Sequence, residues 1–426
     1  MNIFSLHSLT AKNYKNLLLE DGAELKNLNI FIGPNGCGKS NTIAVLEFLK
    51  NCILSGSDES GVSPFEEAVS RLGGSKILDK TSFFPGKISF SFRFSQSPEI
   101  RKGLHLDLKL FTESKNSKVT IAEEFLSDSL HSADRTPFFY YKYHDRKIGE
   151  GVISVWNDEF EQSSHFEIVN NVPTDSLGLT VISELLENSK TPPQQTPVYR
   201  VRRQLIDHIK GWRFYNANNM NLETIRNSEP KLGLNDIFLS SSGNNLAIVI
   251  ENLIQQNIDF EDRLNYAMKS VLPMTRRLRP LRTGLMTINL EWHFDEISEP
   301  FYLNEMSDGT VRMLCWATIL LSPNLPTLLV IDEPEIGIHP AWMPVLAGWI
   351  KRASEQTQVV ICTHSPDLLD HFTDCLENVF CFSKKDQNHF SIIPLSHNKL
   401  QRMLDEGWKI GDLYRVGDSG VGGWPW

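Results

Sequence analysis

The sequence lacks any long hydrophobic run. Hydrophobic residues make up 41% of the 426 residues, but the longest apolar runs, such as residues 328–331 and 359–362, are far shorter than the roughly 20 residues that cross a bilayer. The N-terminus, Met-Asn-Ile-Phe-Ser, has no charged segment followed by an apolar stretch, as a secretory signal would have. We therefore expect a cytoplasmic protein without a membrane partner.

Cysteine is scarce, and its spacing fits neither a disulfide framework nor a metal site. The six residues are Cys37, Cys52, Cys315, Cys362, Cys375 and Cys381. The last two are too far apart for a zinc knuckle. Cys315 and Cys362 lie inside apolar runs, which predicts buried thiols that are not paired.

The chain lacks an excess of positive charge, since its formal net charge is −10. Any contact with nucleic acid must therefore come from a local patch. Two basic stretches qualify: Arg200, Arg202, Arg203, Lys210 and Arg213, and then Arg276, Arg277, Arg279 and Arg282. Such clusters can bind phosphate backbones, but a solvated helix face or contacts with an acidic partner chain are the favoured interpretation. Arg213 differs, because its apolar neighbours predict a strand near the core.

A glycine-rich segment near the N-terminus has the pattern of a phosphate-binding loop. Residues 28–32 predict a short buried strand, and residues 41–50 predict a helix with an apolar stripe. Between them lies Gly-x-x-x-x-Gly-Lys-Ser, residues 33–40, in the strand–loop–helix context that such a loop requires. The residues predicted to bind a nucleotide are Asn35, Gly36, Gly38, Lys39, Ser40 and Asn41. Lys39 would bridge the β- and γ-phosphates, and the Ser40 hydroxyl would ligate Mg²⁺.

A second strand, residues 327–331, runs directly into Asp332 and Glu333. Next to a phosphate loop, an apolar strand that ends in two acids favours nucleotide hydrolysis. The first acid would hold the Mg²⁺ shell, and the second would polarise the attacking water.

Two further features are informative only because of their positions relative to the phosphate loop and the acidic strand end. Ser307 and Gly309 open a predicted helix over residues 311–321, which is a second candidate anion site, although ordinary helix caps look the same. His364 follows the predicted strand 358–363 and could contact a γ-phosphate, although a structural histidine is the better interpretation when this residue is taken alone.

The order of these motifs resembles the head of ABC-type ATPases, specifically the RecF/SMC branch. It resembles still more the compact bacterial AAA-type "predicted ATPase" proteins that often occur in antiphage defence systems. The matching segments are Asn13-Tyr14-Lys15, residues 33–40, residues 307–310, residues 331–340 and Thr363-His-Ser-Pro366, with softer matches at residues 243–246 and 411–414. The resemblance implies an α/β fold: an ABC-type P-loop ATPase head, with a mixed sheet, flanking helices, an antiparallel β meander and a compact inserted helical lobe without a long coiled coil.

The resemblance also implies how the site works. Two heads would dimerise head to tail, or form a larger homo-oligomer, so that Ser307 and Gly309 contact the γ-phosphate bound by the other chain. Residues 335–339 would form the linking loop. Glu333 would be the general base, His364 the γ-phosphate sensor, and ATP with Mg²⁺ the cofactors, the metal being held by Ser40 and Asp332. The signature reads Ser-Asp-Gly-Thr instead of Ser-Gly-Gly, and Gln96 is the candidate for the missing Mg²⁺-coordinating glutamine.

In the middle of the chain, the sequence pattern predicts strands first and helices after them. Residues 88–94 and 104–110 alternate cleanly, and 137–143 and 151–156 are further strands of a meander. The remaining predictions are helices at 180–186, 198–209, 245–255 and 260–271, and strands at 285–294 and 301–303. No helix sustains heptads, which excludes long coiled-coil arms. We predict an N-terminal ATPase lobe (1–165), a mostly helical inserted lobe (166–283), a C-terminal ATPase lobe (284–426) and a flexible joint at 188–197.

By analogy, ATP-dependent dimerisation would control a partner, and the chain would be the sensor or regulatory ATPase of an antiphage defence complex with a separate nuclease or toxin. Only 62 residues follow His364, too few for a nuclease domain of its own. The alternative is a RecF-like DNA-repair accessory ATPase that clamps DNA. A scaffold with degenerate sites is disfavoured, because the residues needed for hydrolysis are present.

Overall fold

The fold is that of a computed structural model. It describes residues 4–54, 61–97, 100, 103–128, 138–143, 151–154, 166–186, 197–228, 230–231, 233–283 and 287–422.

The described strands are, in chain order, β1 (Leu6–Tyr14), β2 (Leu17–Glu24), β3 (Leu28–Ile32), β4 (Gly86–Phe94), β5 (Leu104–Thr112), β6 (Thr120–Asp128), β7 (Phe139–Tyr143), β8 (Gly151–Ser154), β9 (Phe166–Val169), β10 (Arg213–Asn216), β11 (Thr275–Thr283), β12 (Thr287–Phe294), β13 (Phe301–Tyr302), β14 (Leu328–Asp332), β15 (Gln358–Cys362), β16 (Val379–Lys384) and β17 (Phe390–Pro394).

The described helices are α1 (Lys39–Ile53), α2 (Pro64–Leu72), α3 (Gly178–Leu185), α4 (Pro197–Lys210), α5 (Leu222–Asn227), α6 (Leu246–Gln256), α7 (Ile258–Val271), α8 (Asp308–Leu320), α9 (Met343–Ser354), α10 (Pro366–Leu369), α11 (His397–Asp405) and α12 (Ile410–Arg415).

The chain packs as two compact units that alternate along the sequence. The first comprises residues 1–26, 35–212 and 382–393, and the second comprises residues 27–34, 213–381 and 394–426. The chain therefore passes from the second unit to the first inside the phosphate loop, between residues 34 and 35. The division into lobes 1–165, 166–283 and 284–426 stays a prediction.

The first unit is built on a mostly antiparallel meander in the order β17–β2–β1–β4–β5–β6–β7–β8–β9. β4 and β5 pair in unbroken register from Gly86 opposite Thr112 to Phe94 opposite Leu104. Every second residue of both strands is buried, as the alternation in the sequence predicts. The buried side chains of β4 meet α1, where the ring of Phe48 contacts that of Phe90 at a centroid distance of 5.8 Å.

The second unit contains a parallel sheet in the order β10–β14–β15–β3–β16. All five residues of β3 and of β15 are buried, because parallel strands are covered on both faces and read as continuous apolar runs. α8 lies against this core with ten of its residues buried, among them Trp316. A separate small antiparallel sheet, β11–β12–β13, completes the unit.

Most of the elements predicted from the sequence occur, but one basic segment differs. Residues 275–283 form strand β11 instead of a helix face, and its four arginines are exposed while Leu278 is buried against the core. Arg213 begins strand β10, as predicted, and its guanidinium lies over the ring of Phe238 at 4.4 Å. The ends of three predicted segments, at residues 137, 155–156 and 285–286, and residues 188–196 of the predicted joint lie outside the described residues.

Several predicted absences can be compared with the described part of the chain. The longest described helix, α1, has 15 residues, so no long coiled coil is found there. No described helix is both long and apolar enough to span a bilayer. All six cysteines are described, and none of them forms a disulfide; Cys315 and Cys362 are buried, as predicted.

A histidine in the connection between β16 and β17 lies between two carboxylates, one of the same connection and one elsewhere in the first unit. His389 Nδ1 lies 2.8 Å from Asp386 Oδ2, and its Nε2 contacts the carboxylate of Asp79. The Asp386 and Asp79 carboxylates raise the pKa of His389 against the opposing effect of burial. For Asp79, hydrogen bonds from Thr81 and His389 lower the pKa although burial opposes them.

This cluster predicts a pH-dependent contribution to stability. The raised pKa of His389 means that its contribution is complete below the unfolded value, about 6.5, and is lost as the pH rises through the folded value. We expect His389→Gln to lower the urea midpoint more at pH 6 than at pH 9. His397→Gln is the control, because His397 pairs with the neutral Gln401. An equal loss at both pH values for His389→Gln would contradict the prediction.

Candidate active site

The phosphate loop lies between a buried strand and a helix, as the sequence predicts. β3 ends at Ile32, and α1 begins at Lys39 with Gly38 as its N-terminal cap. Gly36 and Gly38 have φ values of 78° and 108°, a region that side chains disfavour. A Cβ on Gly38 would lie 2.3 Å from Leu17 Cδ2. The backbone turn therefore requires glycine at this position.

The start of α1 has the properties of an anion site. Its first turn carries no acidic residue, and the first amide groups of a helix have no intrahelical partner. Lys39 is buried, with Nζ 3.6 Å from Cys37 Sγ, whereas Ser40 is exposed. A buried ammonium at the amino end of a helix favours binding of a polyphosphate, and an exposed hydroxyl is a suitable oxygen ligand for Mg²⁺.

The turn between β1 and β2 supports the phosphate loop. The Asn16 amide donates to Gly36 O at 2.7 Å, and Asn41 donates to Asn16 Oδ1 at 2.8 Å. Lys15 in turn donates to Asn41 Oδ1 at 3.1 Å, and burial lowers the pKa of its ammonium. The sequence motif at residues 13–15 thus lies beside the loop. Asn16, the next residue, was not predicted, because its role depends on a contact 20 residues away.

In the second unit, the two acids of the β14 end are each held by an asparagine. Asn216 Nδ2 donates to Asp332 Oδ2 at 2.9 Å, and Asn218 Nδ2 donates to Glu333 Oε2 at 2.8 Å. Glu333 has a φ of 52°, and its backbone N–H donates to Cys362 O at 2.8 Å. A non-glycine residue in this region stores strain and is often functional.

Glu335 anchors the loop that carries His364. Its Oε1 accepts from Thr363 Oγ1 at 2.7 Å, from His364 N at 3.0 Å and from Ser365 N at 3.1 Å. Burial raises the pKa of Glu335, although these hydrogen bonds oppose the rise. The sequence placed Glu335 only in a linking loop. In the structure, its carboxylate fixes the backbone of the candidate sensor histidine.

The signature segment, residues 307–310, caps α8. Ser307 Oγ accepts from Thr310 N at 3.3 Å, yet Ser307 itself is exposed. A Cβ on Gly309 would lie 3.0 Å from Gly337 O and 3.1 Å from the Trp342 ring. Gly309 therefore permits close packing of α8 against the loop that follows Glu335, while Ser307 stays accessible.

Gln96 does not lie near the phosphate loop. It follows the end of β4 where Phe94 pairs with Leu6, at the start of β1, whereas Asn16 contacts Gly36 beyond the other end of β1. Because β1 has nine residues and a strand rises about 3.3 Å per residue, the two ends are separated by roughly 25 Å. The assignment of Gln96 as a Mg²⁺ ligand was therefore wrong.

The model of the family "AAA domain, putative AbiEii toxin, Type IV TA system" matches residues 28–370. No curated protein matches the sequence.

Among solved structures, an SMC head bound to the C-winged helix domain of ScpA is similar with a TM-score of 0.53 and 11% identity, over 93% of this chain and 99% of that one. The SMC head domain from Thermotoga maritima (TM-score 0.42, 11% identity, 92% and 99% covered) and the Smc head with an extended coiled coil from Pyrococcus furiosus (0.46, 10%, 95% and 99%) are more distant. The first of these similarities confirms the predicted ABC-type ATPase head fold.

Proposed function

Because the chain belongs to the family "AAA domain, putative AbiEii toxin, Type IV TA system" and has the fold of an SMC-type ATPase head, we propose that it binds ATP with Mg²⁺ and hydrolyses it. The observation that carries the proposal is the phosphate loop, in which left-handed glycines lead from a buried strand to a helix that begins at the buried Lys39. Ligands without phosphate groups seldom require this arrangement.

The phosphate loop would bind the triphosphate through backbone amides and one ammonium. The N–H groups at Asn35, Gly36 and Gly38 would point at the phosphate oxygens, Asn41 would support them, and Lys39 would neutralise the β- and γ-phosphates. Bound Mg²⁺ would supply charge neutralisation at the γ-phosphate. Ser40 and Asp332 present the oxygen atoms that this ion prefers.

Hydrolysis would use the residues of the acidic strand end. Glu333 would accept a proton from the attacking water, and His364 would hydrogen-bond the γ-phosphate. Glu335 supports the second role, because it fixes the backbone at His364. The role of Glu333 is tested by Glu333→Gln.

We further propose that two chains associate head to tail, alone or within a larger homo-oligomer, and that Ser307 and Gly309 contact the γ-phosphate of the partner chain. The exposure of Ser307 at the start of α8 supports this. ATP would close the dimer and hydrolysis would open it. A separate effector, a nuclease or toxin of an antiphage defence complex, would respond to the change. The family description, which names a toxin system, agrees with such a setting, and the SMC head bound to ScpA is an example of a head with a protein partner.

The binding step is tested by Lys39→Ala. We expect ATP affinity to fall about 100-fold, because the buried ammonium makes charge-assisted contacts with the phosphates, while the thermal unfolding midpoint without ATP changes little. Calorimetric titration with ATP and Mg²⁺ measures the affinity. Lys76→Ala, an exposed lysine of the same unit, serves as the matched control. Unchanged ATP affinity in Lys39→Ala would contradict the proposal.

A DNA-clamping ATPase is the second candidate, favoured by the exposed arginines of β11. Arg276, Arg279 and Arg282 are exposed along this strand, whereas Arg277 pairs with Glu261 at 2.6 Å. Capture of the partner separates the two candidates. Glu333→Gln protein held with ATP and Mg²⁺ would be isolated from its host, and its companions identified by mass spectrometry. A stoichiometric nuclease or toxin supports the first candidate, and duplex DNA or repair proteins support the second.

A further inference from the structure

The turn that follows β10 brings two asparagines to the acidic strand end. β10 pairs in parallel with β14, with Asn216 at the level of Asp332. Parallel strands end at the same sheet edge, so the residues after them are neighbours. A 3-10 turn, Ala217–Asn219, begins here, and Asn216 Oδ1 accepts from Asn218 N at 2.7 Å. This turn directs the Asn218 side chain to Glu333.

The hydrogen bond from Asn218 determines where the Glu333 carboxylate points. The backbone of Glu333 is fixed by its N–H bond to Cys362 O and by its left-handed conformation. The direction of the side chain therefore depends on its own partner, the Asn218 amide at 2.8 Å. The lone pair of Oε2 that accepts this amide proton cannot accept a proton from water, so the contact leaves fewer acceptor positions on Glu333 for the attacking water.

The same turn is attached to the signature helix. Arg312, in the second turn of α8, donates through Nη1 to Ala217 O at 2.6 Å. A Cβ on Gly337 would lie 3.0 Å from Arg312 Nε, and Trp316 Nε1 donates to Pro334 O at 3.0 Å. α8 thus contacts both the turn that holds Glu333 and the loop that follows Glu333.

We infer that Asn218 is a positioning residue that restrains Glu333, and that α8 controls this restraint through Arg312. Binding of a nucleotide-loaded partner chain at Ser307, at the start of α8, would displace Arg312 and Ala217. The Asn218 amide would then leave the carboxylate, and Glu333 would become available to the water. Hydrolysis would in this way be limited to the closed dimer. The inference rests on the proposed function, because it assumes that Glu333 is the base.

The test measures kcat and KM for ATP across a range of protein concentrations. We expect Asn218→Ala to raise kcat about tenfold at concentrations where the chain is monomeric, which corresponds to the release of about 1.4 kcal/mol. KM should stay within about twofold, because Asn218 is not proposed to bind ATP. Asn218→Gln retains an amide and should stay near the wild-type rate. Asn219→Ala, the next residue of the exposed turn, is the matched control.

A second variant tests the route through α8. Arg312→Met keeps an unbranched side chain, shorter than that of arginine, but cannot donate to Ala217 O, and it should raise kcat as Asn218→Ala does. Unchanged or lower kcat in Asn218→Ala would overturn the inference. Glu333→Gln distinguishes a failure of the inference about Asn218 from a failure of the proposed base. If Glu333→Gln is inactive but Asn218→Ala is not faster than wild type, only the inference fails. If Glu333→Gln hydrolyses ATP normally, the proposed base and the inference both fail.

Discussion

Glu333→Gln is expected to reduce ATP hydrolysis by about 10²- to 10⁴-fold, the usual contribution of a general base, while ATP remains bound. Glutamine has the shape of glutamate, and its amide oxygen can still accept the Asn218 hydrogen bond that Glu333 accepts at 2.8 Å. The surrounding turn is therefore preserved, and only the ability to take a proton is lost. Phosphate release under single-turnover conditions and calorimetric ATP affinity together measure the two parts of this prediction.

Glu355→Gln is the control for this substitution, because Glu355 is exposed at the end of α9. Normal hydrolysis in Glu333→Gln would remove Glu333 from the mechanism. Loss of ATP affinity together with hydrolysis would show that Glu333 contributes to binding and not to proton transfer. The retained ATP should also hold the dimer closed, which light scattering after size exclusion would detect as a doubled mass.

Ser307→Arg is expected to abolish hydrolysis, by at least about 100-fold, without loss of ATP binding. Ser307 is exposed at the start of α8, so an arginine at this position would project from the surface that is proposed to meet the partner chain. The large side chain would keep the signature segment away from the γ-phosphate. Ser307→Ala separates added bulk from the loss of the serine hydroxyl. It removes the proposed phosphate contact and the cap that accepts from Thr310 N, at a cost of about 0.5–2 kcal/mol in helix stability, but adds no bulk, so hydrolysis should fall less than in Ser307→Arg.

Mixing two inactive chains gives the strongest test of a composite site. In a dimer of one Ser307→Arg chain and one Lys39→Ala chain, one of the two sites would combine an intact Lys39 with an intact Ser307. Random pairing would then restore roughly a quarter of the wild-type sites. Co-expression with two different tags ensures that mixed dimers form even if the chains assemble early. Mixed dimers that are isolated and still inactive would require a site formed within one chain.

Local sequence was sufficient for the parts of the site that depend on neighbours in the chain. The phosphate loop was predictable, because glycine spacing and a following helix define its backbone within eight residues. β4 and β5 were predictable for a similar reason, since alternation between buried and half-exposed residues is a local property of a strand. The acidic end of β14 was recognisable because two carboxylates follow an apolar run directly.

Contacts between distant residues could not be predicted in this way. The β11 arginines looked like a helix face or a binding patch, and only the pairing of β11 with β12 shows that they lie on a strand. Gln96 fitted a sequence pattern after a strand, but the antiparallel pairing of β1 with β4 puts it at the wrong end of the sheet. In both cases, the direction and pairing of strands decided the outcome, and one segment of sequence does not encode its partner.

The sequence by itself determined the chemical groups of this protein: a lysine in a glycine loop, two acids after a strand, a serine before a helix and a histidine after another strand. The tertiary structure decided which partners restrain them. Asn218 reaches Glu333 across 115 residues of sequence, and Glu335 collects three donors from the loop of His364. The physical reason is that a hydrogen bond extends only about 3 Å, so such partners are fixed only when the parallel sheet aligns the ends of its strands.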